Sequence, residues 1–171
     1  MAEAYSIGDY VSYSSSGVCR IEDIRQAPPA GKEAPKTFYI LKPLADPAST
    51  IFVPTSSPTL LAKMQRLPTK KEADAMILST KEEEMPWIDD RKVRAATFQT
   101  IVKTCKLKEL LGLATCIYRK RSDLTTQGKK LSATDEAVLR RAEGLIENEL
   151  SFVLELQKDQ VGAYIRETLS I

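Results

Sequence analysis

The sequence predicts an α+β protein with a small β module first and an all-α module after it. Three observations carry that expectation. Short β-prone runs separated by Gly, Ser and Pro turns fill the first 54 residues. Apolar residues recur at helical spacing from about residue 70 onward. The 171-residue length suits one large domain or two small ones. The pattern switches between Pro54 and Pro68, and we place the domains at residues 1–66 and 67–171.

The β module is read as follows. Tyr10, Val11 and Tyr13 form a short run closed by Ser14-Ser15-Ser16-Gly17. Val18 through Ile24 follows, and two β-prone runs joined by a Ser/Gly turn read as a hairpin. Residues 26–36 are a Pro/Gly/Lys loop. Thr37 through Leu41 and Thr50 through Pro54 are further strands, with a turn at Asp46-Pro47 between them. Four or five such strands suggest a small, strongly bent barrel or sheet. About 60 residues is near the lower limit for an independent core.

The helical module begins at Thr69, whose T-x-x-E spacing to Glu72 is a capping box for a helix through about Thr80. Met85-Pro86 breaks the chain and Trp87 follows. Residues 90–104 regain helical periodicity, with Arg91, Arg94, Phe98, Val102 and Cys105 on one stripe. Leu107, Leu110, Leu111, Ala114, Ile117 and Tyr118 form the next stripe, and residues 122–131 read as a polar loop. Ser132 caps a long helix with Asp135 at the box position, and its stripe is Leu139, Ala142, Ile146, Leu150 and Val153. Val161, Tyr164 and Ile165 suggest a short final helix.

Composition narrows the chemistry. Hydrophobic residues make up 43% and charged residues 28%, enough to build a core. There is no His, which excludes His triads, His general bases and His metal ligands. The three cysteines, Cys19, Cys105 and Cys116, form no CxxC, so a zinc site has no ligand set. Isolated glycines offer no phosphate-cradling loop. Glu82-Glu83-Glu84 before a Pro reads as a solvated turn. We therefore expect no catalytic residues, no metal, no cofactor and no enzyme. The N-terminus lacks a signal-peptide pattern, and no apolar run approaches the roughly 18 residues of a membrane span. A cytoplasmic, bacterial-type protein with no membrane partner is expected.

Charge is unevenly spread along the chain. The formal net charge is only +2, but residues 88–131 alone carry +7, against −1 before them and −4 after them. A basic middle segment is a candidate phosphate-facing surface, although an acidic helix folding back could equally neutralise it. Helical geometry sorts the cations. Arg91 and Arg94 project with Phe98 and Val102 and could pair with Glu143, Glu147 or Glu149. Lys92, Lys103, Lys108, Arg119 and Lys120 point away from the apolar stripes, and Lys129 and Lys130 lie in the loop. These seven are the better candidates for phosphate contacts. Trp87 is the only Trp and stands at the entry to the basic segment. A core anchor and a stacking or wedging platform against bases are both open for it.

Several of these segments together resemble a known family. Gly8-Asp9-Tyr10-Val11-Ser12-Tyr13, Ser16-Gly17-Val18 through Ile21, Phe38 through Lys42 and Ile51 through Pro54 are similar to the opening of CarD/CdnL-family bacterial transcription regulators. The same small domain occurs in the transcription–repair coupling factor. Pro86-Trp87 with Arg91 and Arg94 resembles the family's helical domain. So do Leu131-Ser132, Asp135-Glu136, Leu139, Ala142, Leu145 and Glu149-Leu150. The order and spacing of the segments run through nearly the whole chain.

The resemblance implies a Tudor-like β domain that docks on the β-subunit lobe of RNA polymerase. It implies a helical domain that contacts promoter DNA at the upstream edge of the bubble, largely without sequence specificity, and stabilises open complexes. Trp87 matches the family's minor-groove wedge. Arg25 falls where the family places a polymerase-contacting basic residue, and Ile51, Phe52 and Val53 where it presents a sheet edge for β-augmentation. Ser14 stands where many members have Pro, and Phe52 where some have a second basic contact. A monomer is expected. The competing expectation is a protein–protein adaptor that docks on polymerase or another partner without touching DNA.

Overall fold

The computed structural model describes residues 4–27 and 35–171. The chain divides into two compact units, Met1–Leu67 and Pro68–Ile171.

The first unit is an antiparallel sheet of five strands: β1 (Tyr10–Tyr13), β2 (Val18–Ala27), β3 (Lys36–Pro43), β4 (Ile51–Pro54) and β5 (Met64–Arg66). Their order is β4-β3-β2-β1-β5, so among the described residues the sheet is open, with β4 and β5 at its edges, and is not a closed barrel. A short helix α1 (Pro58–Leu61) leads into β5, with Ser57 accepting from the Leu60 N–H at 3.3 Å. The sequence pattern predicts no strand after Pro54. Only three residues form β5, and its ladder with β1 at Val11, Ser12 and Tyr13 is a tertiary event.

The β1–β2 hairpin turns through a 3-10 segment at Ser14–Ser16 and Gly17. Gly17 has φ 73° and ψ −147°, a conformation open essentially to glycine alone. Ser14 has φ 47°, which a proline ring cannot reach. The Ser at this position therefore fits the turn that the chain makes. β2 and β3 run as far as Ala27 and from Lys36, so the expected loop at 26–36 is shorter at both ends. Its residues 28–34 lie outside the described residues.

Strand alternation assigns the two faces. Val11, Cys19, Ile21, Leu41, Val53 and Met64 form the core, with Tyr5, Tyr13, Tyr39, Ile51, Leu60 and Leu61 packed on it. Burial pushes the Cys19 thiol up to about 11, so it is a core residue rather than a nucleophile. A bulge between Ile21 and Asp23 resets the register of β2 against β3.

The second unit contains α2 (Lys70–Glu82), α3 (Arg91–Thr104), α4 (Leu107–Thr126), α5 (Ala133–Val153) and α6 (Lys158–Leu169). Local chemistry starts most of them. Thr69 accepts from the Glu72 N–H at 3.1 Å, Asp90 from Lys92 and Val93, and Ser132 from Asp135. A Gln157–Gln160 capping box opens α6. α4 runs on to Thr126, so the loop expected at 122–131 begins only after it. The helix continues through residues 122–126 because Leu124 packs against the core and carries the apolar face into the otherwise polar segment.

α4 packs against α5, α2 and α3, and α6 packs against α5 and α2. Phe98, Leu110, Leu113, Ile117, Leu139 and Leu150 are fully buried between these helices. Each such side chain contributes about 1.5–3 kcal/mol of transfer free energy. Tyr164 on α6 donates to Asp74 on α2 at 2.5 Å. Tyr118, placed on the apolar stripe by periodicity, is 40% exposed, and its hydroxyl donates to Glu143. Glu149 is only 6% exposed, and burial pushes its carboxyl up to about 7.

Candidate functional site

In the sheet unit, the face opposite the core collects the polar and aromatic groups. Residues directly paired across a ladder share a face. Arg25 pairs with Phe38, which pairs with Pro54, while Asp23 pairs with Ile40, which pairs with Phe52. These two rows are adjacent on one face. Phe52 is 57% exposed there, a large apolar group on an edge strand. Arg25 is also exposed, and its Nε donates to Asp23 Oδ2 at 2.7 Å. The Arg25 guanidinium and the Ile24 N–H hold the Asp23 carboxyl below its ordinary range.

The structure separates the three residues expected at the edge. Ile51 and Val53 point into the core, Val53 with no exposed surface. They can offer a partner their backbone, not their side chains, and only Phe52 presents a side chain outward. The alternation along β4 already contained this split, because successive side chains point to opposite faces.

In the helical unit, the site is built around an irregular segment. α2 ends at Glu82, and Met85-Pro86 prevents its continuation. Trp87 lies in the segment between α2 and α3. Its indole meets the Phe98 ring edge-on at 5.9 Å between centroids. The ring is half-buried at the rim of the core, so the two roles left open for it, anchor and platform, are not exclusive in space. The Arg94 guanidinium carbon lies 4.6 Å from the Trp87 ring centroid and Lys120 Nζ 5.4 Å from it, both within cation–π range.

Arg94 is only 7% exposed. Its Nε and one terminal nitrogen reach the two carboxylate oxygens of Asp135, each at 3.1 Å. The other terminal nitrogen donates to the backbone carbonyls of Ile88 at 2.9 Å and Asp89 at 3.1 Å. The partner is thus Asp135, at the start of α5, and not Glu143, Glu147 or Glu149. Helical periodicity assigned Arg94 to the buried side but could not say which end of α5 lies opposite. Arg91, expected beside it, is exposed, because the first turn of α3 lies at the margin of the core. Nothing in the sequence singles out Asp135 as the partner, although the Ser132 capping pattern marks that residue.

The remaining expected contacts fall into two groups. Lys108 pairs with Glu83 at 3.3 Å, and Arg119 pairs with Glu84 at 2.6 Å and also reaches the Met85 carbonyl at 3.5 Å. The Glu82–Glu84 run therefore neutralises part of α4 and ties the Trp87 segment to it. Lys92, Lys103, Lys129 and Lys130 are exposed and make no ion pair among the described residues. The structure brings Lys120 and Arg119 to the Trp87 segment, and it places Lys92 at one end of α3 and Lys103 at the other.

A largely apolar cavity of about 430 Å³ lies between α4, α5 and α6. Its lining mixes Arg119, Arg121 and Arg166 with Glu143 and Glu147. No helix among the described residues is long and apolar enough to cross a membrane.

Residues 5–67 match the family model of the CarD-like/TRCF RID domain. The sheet unit is therefore a CarD-like RNA polymerase-interacting domain, as the resemblance of its strands implied. Curated proteins gave no match to this chain.

Proposed function

We propose that this protein is a transcription regulator that stabilises open promoter complexes. The sheet unit docks on the β-subunit lobe of RNA polymerase, and the helical unit contacts promoter DNA at the upstream edge of the bubble. The observation that carries the reading is a polymerase-interacting domain joined to a unit whose single Trp stands half-exposed beside Arg94 and Lys120.

The physics suits a weak, position-dependent DNA contact. Wedging an indole into a base step costs a few kcal/mol of unstacking, and an already distorted duplex lowers that cost. Tethering through polymerase raises the local concentration of the helical unit, so modest DNA affinity suffices. Lys92, Lys103, Lys120, Lys129 and Lys130 supply phosphate contacts without base readout, and Phe52 with Arg25 supplies the docking face. Such a protein acts in the cytoplasm, as one copy per polymerase, without catalysis or cofactor.

The test is open-complex lifetime on a promoter with a short-lived bubble, with and without the protein and with Trp87→Ala. A longer lifetime that the substitution abolishes is expected. No lengthening despite polymerase binding would sink the reading.

A second reading is an adaptor without DNA contact. The observation that favours it is the pairing of Lys108 and Arg119 with Glu83 and Glu84, which removes charge from α4. It predicts a near-zero dependence of DNA affinity on salt in a log–log plot.

A further inference from the structure

Four hydrogen bonds leave the Arg94 guanidinium with one N–H to spare, and almost none of its surface is exposed. Such a group has no geometry left for a phosphate. Its bonds run instead to three places that define where Trp87 stands. Two go to the carbonyls of Ile88 and Asp89, the residues immediately after Trp87. Two go to Asp135, which is held by Ser132 at the N-terminus of α5: Ser132 Oγ lies 2.8 Å from Asp135 Oδ2 and accepts from the Asp135 N–H at 3.1 Å. The guanidinium also lies against the indole itself. The segment between α2 and α3 has no regular backbone ladder, so side chains must set its path.

We infer that Arg94 is a positioning residue, clamped by Asp135 and by the Ile88 and Asp89 carbonyls so that it fixes the pose of the Trp87 indole and makes no DNA contact itself. The inference rests on the proposed DNA-facing role of Trp87. Lys120, half-buried with its ammonium against the ring and in no ion pair among the described residues, is the cation left for phosphate beside the indole. Arg cannot be replaced by Lys in this arrangement, because an ammonium offers neither the planar fork for Asp135 nor reach to both carbonyls at once.

The 171-residue chain has one Trp, so indole emission reports this site alone. The experiment compares wild type, Asp135→Asn, Arg94→Lys and Lys120→Gln by acrylamide quenching, by indole anisotropy and by open-complex lifetime at saturating protein. Asp135→Asn and Arg94→Lys are expected to raise the quenching constant about twofold and to lower the anisotropy, as local order is lost without global unfolding. They are also expected to shorten the lifetime toward that of Trp87→Ala, with far-UV helix signal and polymerase affinity retained. Lys120→Gln is expected to weaken DNA binding while keeping the indole anisotropy of wild type, because the clamp bonds of Arg94 remain. Unchanged quenching and anisotropy in both clamp variants, with helix signal retained, would overturn the inference.

Should both variants lose helix signal, wild type decides. A buried clamp is poorly screened, so the quenching constant should hold from about 0.05 M to about 1 M salt, and a rise would overturn it. If wild type fails to lengthen the open-complex lifetime, the DNA-facing reading falls, while the quenching comparison still decides whether Arg94 positions the indole.

Discussion

The two candidate surfaces are held in different ways. Phe52 and Arg25 sit on strands, where ladder hydrogen bonds and the alternation of side chains determine which way each residue faces. Trp87 sits in an irregular segment, where Arg94, Asp135 and the Glu83 and Glu84 ion pairs do the work that a ladder does in the sheet. The first surface tolerates side-chain change because its backbone is self-supporting. The second depends on a few buried polar groups, and a buried charge left without its partner is costly.

The sharpest way to break this contrast is Asp135→Ala. It strands the Arg94 charge and should destabilise the helical unit by about 3–5 kcal/mol, read by urea unfolding followed through Trp87 emission. Phe52→Ala on the sheet should change stability by no more than about 0.5 kcal/mol, read by amide hydrogen exchange in β2 and β3. Comparable losses at the two sites would remove the distinction.

A pH titration probes the buried polar groups of the helical unit by another route. Burial raises the Glu149 carboxyl from its ordinary 4.5 to about 7, so the folded chain retains a proton that the unfolded chain releases. Its contribution is therefore most favourable below about 4.5 and is lost as pH rises to about 7. A shift of this size corresponds to about 3 kcal/mol. Glu149→Gln should flatten that part of the stability profile, measured by unfolding midpoints at pH 5 and pH 8. An unchanged slope would show that Glu149 is ionised in the fold.

On the binding side, Phe52→Ala should weaken association with the polymerase β-subunit lobe by about 1–2 kcal/mol, or roughly tenfold, by calorimetry. Lys103→Gln should lower the log–log salt slope of DNA binding by about one while leaving polymerase affinity unchanged. The smallest effect belongs to Lys108→Ala. Its pair with Glu83 is solvent-exposed on both sides, so stability should move by less than about 1 kcal/mol.

Much of this architecture is legible in the sequence. Thr69 and Ser132 marked two helix starts, and Pro86 marked the break that frees Trp87, because caps and breakers act within a few residues. Apolar periodicity located Phe98, Val102, Leu139 and Leu150 in the core for the same reason. The outward facing of Phe52 between inward Ile51 and Val53 was also available from alternation alone. β5 and the full reach of α4 were not, since one is stabilised by its partner strand and the other by the core that anchors its apolar face.

Local chemistry in the sequence thus determined the element types, the two-module layout and the position of the Trp beside a basic run. Tertiary structure decided the partners. That Arg94 meets Asp135, and that Glu83 and Glu84 take up Lys108 and Arg119, depends on which helix ends are brought together. A helical period gives each residue a direction around its own axis but no information about its neighbour's register, and buried charge pairing is specific to that register.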